Sequence, residues 1–143
     1  MVIPHGIKVF AWFTYYKNQN VCVIMHQNKY KIITKVEETQ LCFDKSLSYG
    51  TIISGTYFNH NMRFITCEDI YYYKGDNVYE KNYGEKMAIF KKIFETELQQ
   101  KAYTKNFTIF GLPFIRDNLK MAFSKINEIP YPVRGILFRN LND

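Results

Sequence analysis

Two acidic residues stand side by side in this sequence, Glu68 and Asp69, and three tyrosines follow them at 71–73. A carboxylate pair can bind a divalent cation. Neighbouring side chains on a strand point to opposite faces, however, so alternation predicts that these two carboxylates do not share a site. Tyrosine rings can stack on the bases of single-stranded nucleic acid, although such a run is more often divided between a core face and a sheet surface.

Other patterns with catalytic or metal-binding chemistry are missing from the sequence. It contains no phosphate loop of the Walker type, no HExxH, no GxSxG and no EF-hand loop. Its three histidines lack metal-ligand spacing, and Cys22, Cys42 and Cys67 form no CxxC pair. We therefore expect buried, reduced thiols, no metal or other cofactor, no membrane span and no signal peptide.

The composition indicates one globular domain that carries a positive charge. The chain has 143 residues, of which 47% are hydrophobic and 22% charged, so residues 1–143 are predicted to form a single domain. A net charge of +6 favours anionic partners such as RNA, DNA or a nucleotide. The alternative interpretation is a lysine-rich surface that only interacts with water, since no basic tail is present.

The acidic pair lies in a predicted hairpin. The runs Tyr49–Phe58 and Arg63–Tyr73 are rich in residues that favour strands, and the Asn-His-Asn-Met link at 59–62 favours a tight antiparallel turn. A turn at 74–77 ends the second strand. Further strands are predicted at Ile7–Tyr16, Val21–His26, Lys29–Lys35, Thr39–Phe43, Asn106–Phe110 and Val133–Arg139.

The hydrophobic period changes after residue 83. Apolar residues recur there every three or four positions, at Met87, Phe90, Ile93, Phe94 and Leu98. This spacing predicts an amphipathic helix over 84–101, and a weaker pattern predicts a second helix over 115–126. The predicted fold class is therefore α+β, with a twisted, mostly antiparallel sheet of about six to eight strands covered by two helices.

The order of these elements and four short motifs resemble the nucleotidyltransferase domain of mRNA guanylyltransferases and ATP-dependent nucleic-acid ligases. The family's Lys-x-Asp-Gly-x-Arg motif aligns with residues 3–8, and its Gly-Thr-x-x-Asp-Gly-Glu motif aligns with 50–56. Its Phe-Asp strand and glycine turn align with 64–75, and its Glu-Gly-x-x-Phe strand aligns with 134–138. The matched motif positions are Gly6, Gly55, Asp69, Gly75 and Gly135.

The chain departs from this family at the catalytic positions. The family attacks a nucleotide phosphate with a lysine amine, but Ile3 occupies that position and cannot act as a nucleophile. The family's closing Lys-x-Lys strand would fall beyond residue 143. Other residues replace the family's acidic and base-stacking groups, at His5, Thr56, Glu68 and Arg134. The resemblance therefore implies a fold that has lost the catalytic lysine and the matched metal-binding carboxylates.

The resemblance implies a catalytically inactive accessory protein that binds a nucleotide or RNA. Its implied partners are RNA, a nucleotide or another protein of a virus or a capping complex. Large cytoplasmic DNA viruses encode such domains, so the host cytoplasm or the virion is the expected location. Through their motif positions, four cations would line one neutral-to-positive groove and hold phosphate without a metal: Lys8, Lys74, Arg134 and Arg139.

Two alternatives stay open at the level of sequence. An active nucleotidyltransferase could use a relocated lysine, and Lys8, two residues after Gly6 on the same strand face, is the nearest candidate. A structural component of a virion or complex is the other alternative. It would explain why 12 tyrosines and 12 phenylalanines exceed what one small core absorbs, because aromatic residues are enriched at interfaces.

Overall fold

Eleven strands and one helix make up the part of the chain that the computed structural model describes, residues 1–39, 41–99, 108–113, 115, 120, 128–140 and 142. The helical elements are a 3-10 turn at Lys45–Tyr49 and α1 at Tyr83–Lys92, which continues as a π-helical turn at Ile93–Glu97. The strands are β1 Val2–Pro4, β2 Ile7–Tyr16, β3 Gln19–Gln27, β4 Ile33–Thr39, β5 Cys42–Phe43, β6 Thr51–His60, β7 Met62–Tyr73, β8 Asp76–Asn77, β9 Leu98–Gln99, β10 Thr108–Gly111 and β11 Val133–Ile136.

One large sheet dominates the fold. Its strand order is β10–β7–β6–β2–β3–β4, and all neighbours are antiparallel except β10 and β7. The predicted hairpin is confirmed, because β6 and β7 pair along their length. Its predicted four-residue link at 59–62 is wrong, since His60 already pairs with Met62 and Asn61 alone makes the link with a φ of 64°. Asparagine tolerates this left-handed conformation better than most residues. The predicted strand at Ile7–Tyr16 is also confirmed.

The prediction of an α+β domain with two covering helices is wrong. The described residues are mostly antiparallel strand with a single helix over 83–97, and the predicted helix over 115–126 lies outside them apart from two residues. The sheet curls until its two edge strands meet, where Thr39 Oγ1 of β4 lies 2.5 Å from Thr108 Oγ1 of β10. Because a curled sheet encloses its own inner face, the apolar strands do not need a two-helix layer.

The hydrophobic core lies inside this curl. Phe13 of β2 contacts the rings of Phe43 and Phe110, with centroids 5.1 and 5.8 Å away. Cys22 and Cys67 are fully buried, which confirms that prediction for these two thiols, whereas Cys42 is half-buried. Burial raises the pKa of both buried thiols, so neither is a reactive thiolate at neutral pH.

A small two-stranded ribbon forms a separate sheet. β1 pairs antiparallel with β11, so that Val2 lies opposite Ile136 and Ile3 lies opposite Gly135. The ribbon lies over one end of the outer face, which is the side of the large sheet that faces away from the core. There the ring of Tyr131 packs 4.7 Å from that of Phe58.

The start of β4 differs from the prediction. The sequence predicted a strand over Lys29–Lys35, but β4 begins at Ile33. The side chain of Asn28 accepts hydrogen bonds from the backbone N–H groups of Tyr30 and Ile32, at 2.9 and 3.1 Å. These bonds hold the preceding residues in a loop, because an asparagine side chain can replace strand partners locally.

Candidate functional site

The outer face brings polar side chains of three strands into register. Lys8 of β2 lies opposite Thr56 of β6, which lies opposite Thr66 of β7. One step along the same strands, Ser54 lies opposite Asp69. Residues directly opposite each other in antiparallel strands share a face, so these side chains surround one patch.

A β-bulge adds Glu68 to that patch. The pairing of β6 and β7 shifts between Ser54 and Gly55, because Gly55 pairs with Cys67 while Ser54 pairs with Asp69. Glu68 is therefore the extra residue of a bulge, and an extra residue interrupts the alternation of faces. The prediction that the two carboxylates point to opposite faces is wrong for this reason.

Gly55 permits this bulge. A Cβ atom built on Gly55 would lie 1.8 Å from the backbone oxygen of Thr66, far inside van der Waals contact. The two strands approach each other there more closely than any side chain allows. This motif position thus serves the backbone geometry that orients Glu68.

Glu68 is buried and hydrogen-bonded within the sheet. Its Oε2 atom accepts hydrogen bonds from the hydroxyls of Thr56 and Thr66, at 2.7 and 2.9 Å. The ammonium of Lys8 lies 4.0 Å from the other carboxylate oxygen, with 40% of the lysine side chain exposed. Lys8 therefore compensates the negative charge of Glu68 from the edge of the patch, and its side chain remains partly exposed to water.

Asp69 is held by two cations. Its Oδ1 atom accepts a hydrogen bond at 2.8 Å from the ammonium of Lys86, which is buried on α1 and lies 4.8 Å from the ring centre of Tyr79. Arg139 places a guanidinium nitrogen 3.7 Å from Oδ2. Three cations thus face two carboxylates, and the patch, which we call the Glu68–Asp69 cluster, carries a small positive excess.

The charges of both carboxylates affect the pKa of Tyr83. Burial raises the pKa of Tyr83, Arg139 opposes that shift, and the charges of Asp69 and Glu68 add to it. The guanidinium of Arg139 lies 5.3 Å from the centre of the same ring. Tyr83 therefore supports Arg139 beside Asp69 and stays neutral at physiological pH.

The structure brings two of the four predicted cations together. Lys8 and Arg139 both reach the Glu68–Asp69 cluster. Lys74 does not, since it lies in the turn after β7 and pairs with Glu97 at 2.6 Å. Arg134 is exposed on β11, and among the described residues it forms no ion pair with Glu68 or Asp69.

The matched glycines have structural roles that differ from one another. A Cβ on Gly6 would meet the backbone oxygen of Tyr57 at 2.3 Å, so β2 and β6 approach closely there. Gly75 has a φ of 92° in the turn between β7 and β8. Gly135 faces open space, and no contact requires a glycine at that position.

Lys86 is the site residue that the sequence interpretation missed. Lys86 is not among the apolar positions that predict the helix, yet it is buried together with Tyr83 and Phe90. Its spacing of three residues from Tyr83 and four from Phe90 places it on the same stripe. That spacing was the available signal, and the charge of the lysine concealed it.

Aromatic rings continue the outer face beside the cluster. The ring of Phe10 lies edge-on to Tyr71 at 5.6 Å, and Tyr71 stacks on Tyr79 at 4.6 Å with an interplanar angle of 4°. Trp12 and Tyr72 lie in the neighbouring row, and each is 39% exposed. The tyrosine run is therefore divided, with Tyr72 the most exposed of the three.

A second polar cluster, formed by Tyr73 and Glu97, should make the free energy of unfolding depend on pH in the alkaline range. The hydroxyl of Tyr73 donates to Glu97, and burial, this bond and the charge of Glu97 raise the pKa of Tyr73 to about 12. An unfolded tyrosine titrates near about 10, so the folded chain holds a proton that the unfolded chain loses between these values. The stabilisation that this proton contributes is complete below about pH 10 and falls as pH rises toward 12.

Urea unfolding from pH 9 to 11.5 measures this effect. The free energy of unfolding should fall less steeply with pH for Tyr73→Phe than for the unmodified chain. Equal slopes of free energy against pH would contradict this assignment.

Comparison with known proteins shows a distant similarity to a viral protein. No model of a known protein family matches the chain. The chain is 24% identical to an uncharacterized protein of Acanthamoeba polyphaga mimivirus, over 90% of this chain and 42% of that protein. It therefore spans less than half the length of the viral protein that it resembles.

The helical residues were also compared with the length and hydrophobicity that a membrane span needs. Within residues 83–97 and the other described positions, no helix is long and apolar enough to cross a lipid bilayer.

Proposed function

We propose that this chain is a catalytically inactive relative of the nucleotidyltransferase domains of capping enzymes and ligases, and that it binds a nucleotide or single-stranded RNA as an accessory protein. The observation that carries the proposal is the convergence of Lys8 and Arg139, both partly exposed, on a cluster in which three cations face two carboxylates. The similarity to a mimivirus protein is consistent with a viral setting for this role.

The inactive character is supported by the partners of the two carboxylates. Two threonine hydroxyls occupy one oxygen of Glu68, and the ammonium of Lys86 occupies one oxygen of Asp69. A metal at the other two oxygens would lie beside the cations Lys8 and Arg139, which repel it. At the position of the family's nucleophile, Ile3 lies in the ribbon and offers only an aliphatic side chain.

Phosphate recognition is supported by the two cations at the edge of the cluster. Lys8 lies 4.0 Å and Arg139 lies 3.7 Å from their carboxylates, which is longer than a charged hydrogen bond. Both groups therefore keep N–H donors for an incoming phosphate. The exposed rings of Trp12 and Tyr72 on the same face provide surfaces on which a base can stack.

Titration of a labelled oligoribonucleotide tests this function. We expect binding at low salt that EDTA does not change, with a logarithmic salt slope of about −0.7 for each phosphate contact. Lys8→Ala and Arg139→Ala should each weaken binding about tenfold, because each removes a charged hydrogen bond. Lys17→Ala, an equal loss of charge in the exposed turn after β2, should have little effect.

Two results would contradict the proposal: no binding at low salt, or binding that EDTA abolishes. The motif alignment also assigns Arg134 to the groove, so Arg134→Glu shows whether the binding surface extends to β11. A loss as large as that of Arg139→Ala would extend the surface to that strand.

Lys8 also favours a second candidate function, nucleotidyl transfer. Its ammonium lies on the outer face beside Glu68 with 40% of the side chain exposed, so it could reach the phosphate of a bound nucleotide. Incubation with radiolabelled GTP or ATP and a divalent metal distinguishes the two functions. A covalent adduct that survives alkali but not acid, as a lysine phosphoramidate does, and that Lys8→Ala removes would establish the enzyme and exclude the inactive protein.

A further inference from the structure

Strand β4 forms an edge of the large sheet with an apolar, exposed surface. It pairs with β3 on one side, and within the described ranges no strand pairs with its other side. Val36 at its centre is 62% exposed and Ile33 is 42% exposed. An edge of this kind offers unpaired backbone groups to another strand.

The sequence of β4 is complementary to itself. If two copies pair antiparallel about a two-fold axis at Val36, each valine lies opposite the valine of the second copy. Lys35 then faces Glu37 of the second copy. Thr34 lies outside this regular segment, because it is the extra residue of a bulge between the pairs His26–Lys35 and Gln27–Ile33. Every charged pair in this register is attractive, and opposite charges across antiparallel strands stabilise the pairing.

The charges on β4 are already arranged for this register. Glu37 accepts a bond from His26 at 2.8 Å, and the ammonium of Lys35 lies 3.4 Å from its other oxygen. In the paired arrangement each lysine gains a second carboxylate and each carboxylate gains a second lysine. The four groups form a square of alternating charge, and the bond to His26 limits the side-chain entropy that Glu37 would lose.

The same register joins the apolar surfaces of the two copies. Val36 lies opposite Met25, and Met25 lies opposite Phe10, on the outer face. Two-fold pairing would extend this row without interruption into the second copy. The pairing would stop at Glu38, because the hydroxyl of Thr39 already contacts Thr108.

We infer that this protein forms a symmetric dimer through antiparallel pairing of residues 35–37 of β4 with the same residues of a second copy. The inference does not depend on the proposed binding of RNA, because β4 lies outside the Glu68–Asp69 cluster. A second copy of the chain is thus the partner of the edge strand, and Val36 becomes covered on pairing.

Two charge-reversed variants test the dimer. Light scattering after size exclusion, without nucleic acid, should give a dimer mass for the unmodified chain. Lys35→Glu and Glu37→Lys each place like charges opposite each other, and each should raise the dimer dissociation constant about tenfold. An equimolar mixture of the two variants should recover a dimer, because every facing pair then has opposite charges.

Lys31→Glu is the matched control, since it makes the same charge change in the loop before β4 and should leave the dimer intact. Circular dichroism establishes that each variant is folded before its mass is interpreted. A monomer mass for the unmodified chain at high concentration would overturn the inference. A dimer that both reversals leave unchanged would equally overturn it.

Discussion

Replacing Lys86 by methionine should lower the free energy of unfolding by about 3–5 kcal/mol, because it leaves Asp69 buried without its closest counter-charge. The ammonium of Lys86 lies 2.8 Å from Asp69 and both groups are buried. Arg139, at 3.7 Å, compensates only in part. Equilibrium urea unfolding at neutral pH measures the change.

Lys91→Met is the matched control for this prediction. Lys91 lies on the same helix but is exposed, so its replacement should change stability by less than about 0.5 kcal/mol. Adding Asp69→Leu to Lys86→Met should recover much of the loss, because the double variant buries no unpaired charge. If Lys86→Met were as stable as Lys91→Met, the buried ion pair would not be a stabilising feature of the fold.

Gly55→Ala should cost more than about 3 kcal/mol, because the new methyl group would overlap the backbone of β7. The Cβ would lie 1.8 Å from the oxygen of Thr66, and a backbone atom cannot move aside as a flexible side chain can. The bulge would have to open, which would also turn Glu68 away from its two threonines. Thermal unfolding measures the loss.

Gly135→Ala is the control for the bulge, because a Cβ there meets no atom within 4 Å. It should leave the melting temperature almost unchanged. Similar melting temperatures for the two variants would show that the close approach of β6 and β7 relaxes without cost.

The parts of the fold that could be predicted from sequence are those with local patterns. The hairpin followed from two β-rich runs and an asparagine-containing link, and β2 followed from a run of nearly all apolar or aromatic residues. The curl of the sheet could not be predicted in this way. It depends on contacts such as that between Thr39 and Thr108, which no local pattern contains.

The candidate site was predictable only in part, for two physical reasons. Strict alternation of strand faces separated Glu68 from Asp69, whereas one extra residue in β7 unites them. The charge of Lys86 suggested a solvated helix face, whereas an aspartate across the interface compensates its burial. In both cases a tertiary partner overrides the local rule.

The motif alignment located Lys8 and Arg139 but did not foresee the direction of Lys74. That residue has a φ of 52° in the turn after β7, and it pairs with Glu97 at the end of the helix. A motif fixes the position of a residue along the chain. The conformation of a turn decides where its side chain reaches, and this depends on the neighbouring elements.

The contact between β4 and β10 should form late in folding. Its contact joins positions 69 residues apart, whereas the hairpin of β6 and β7 joins neighbours through Asn61. The entropy lost on closing a loop grows with its length, so local pairs form early and distant ones late. The hairpin is therefore the natural nucleus of this chain, and closure of the curled sheet is among its last events.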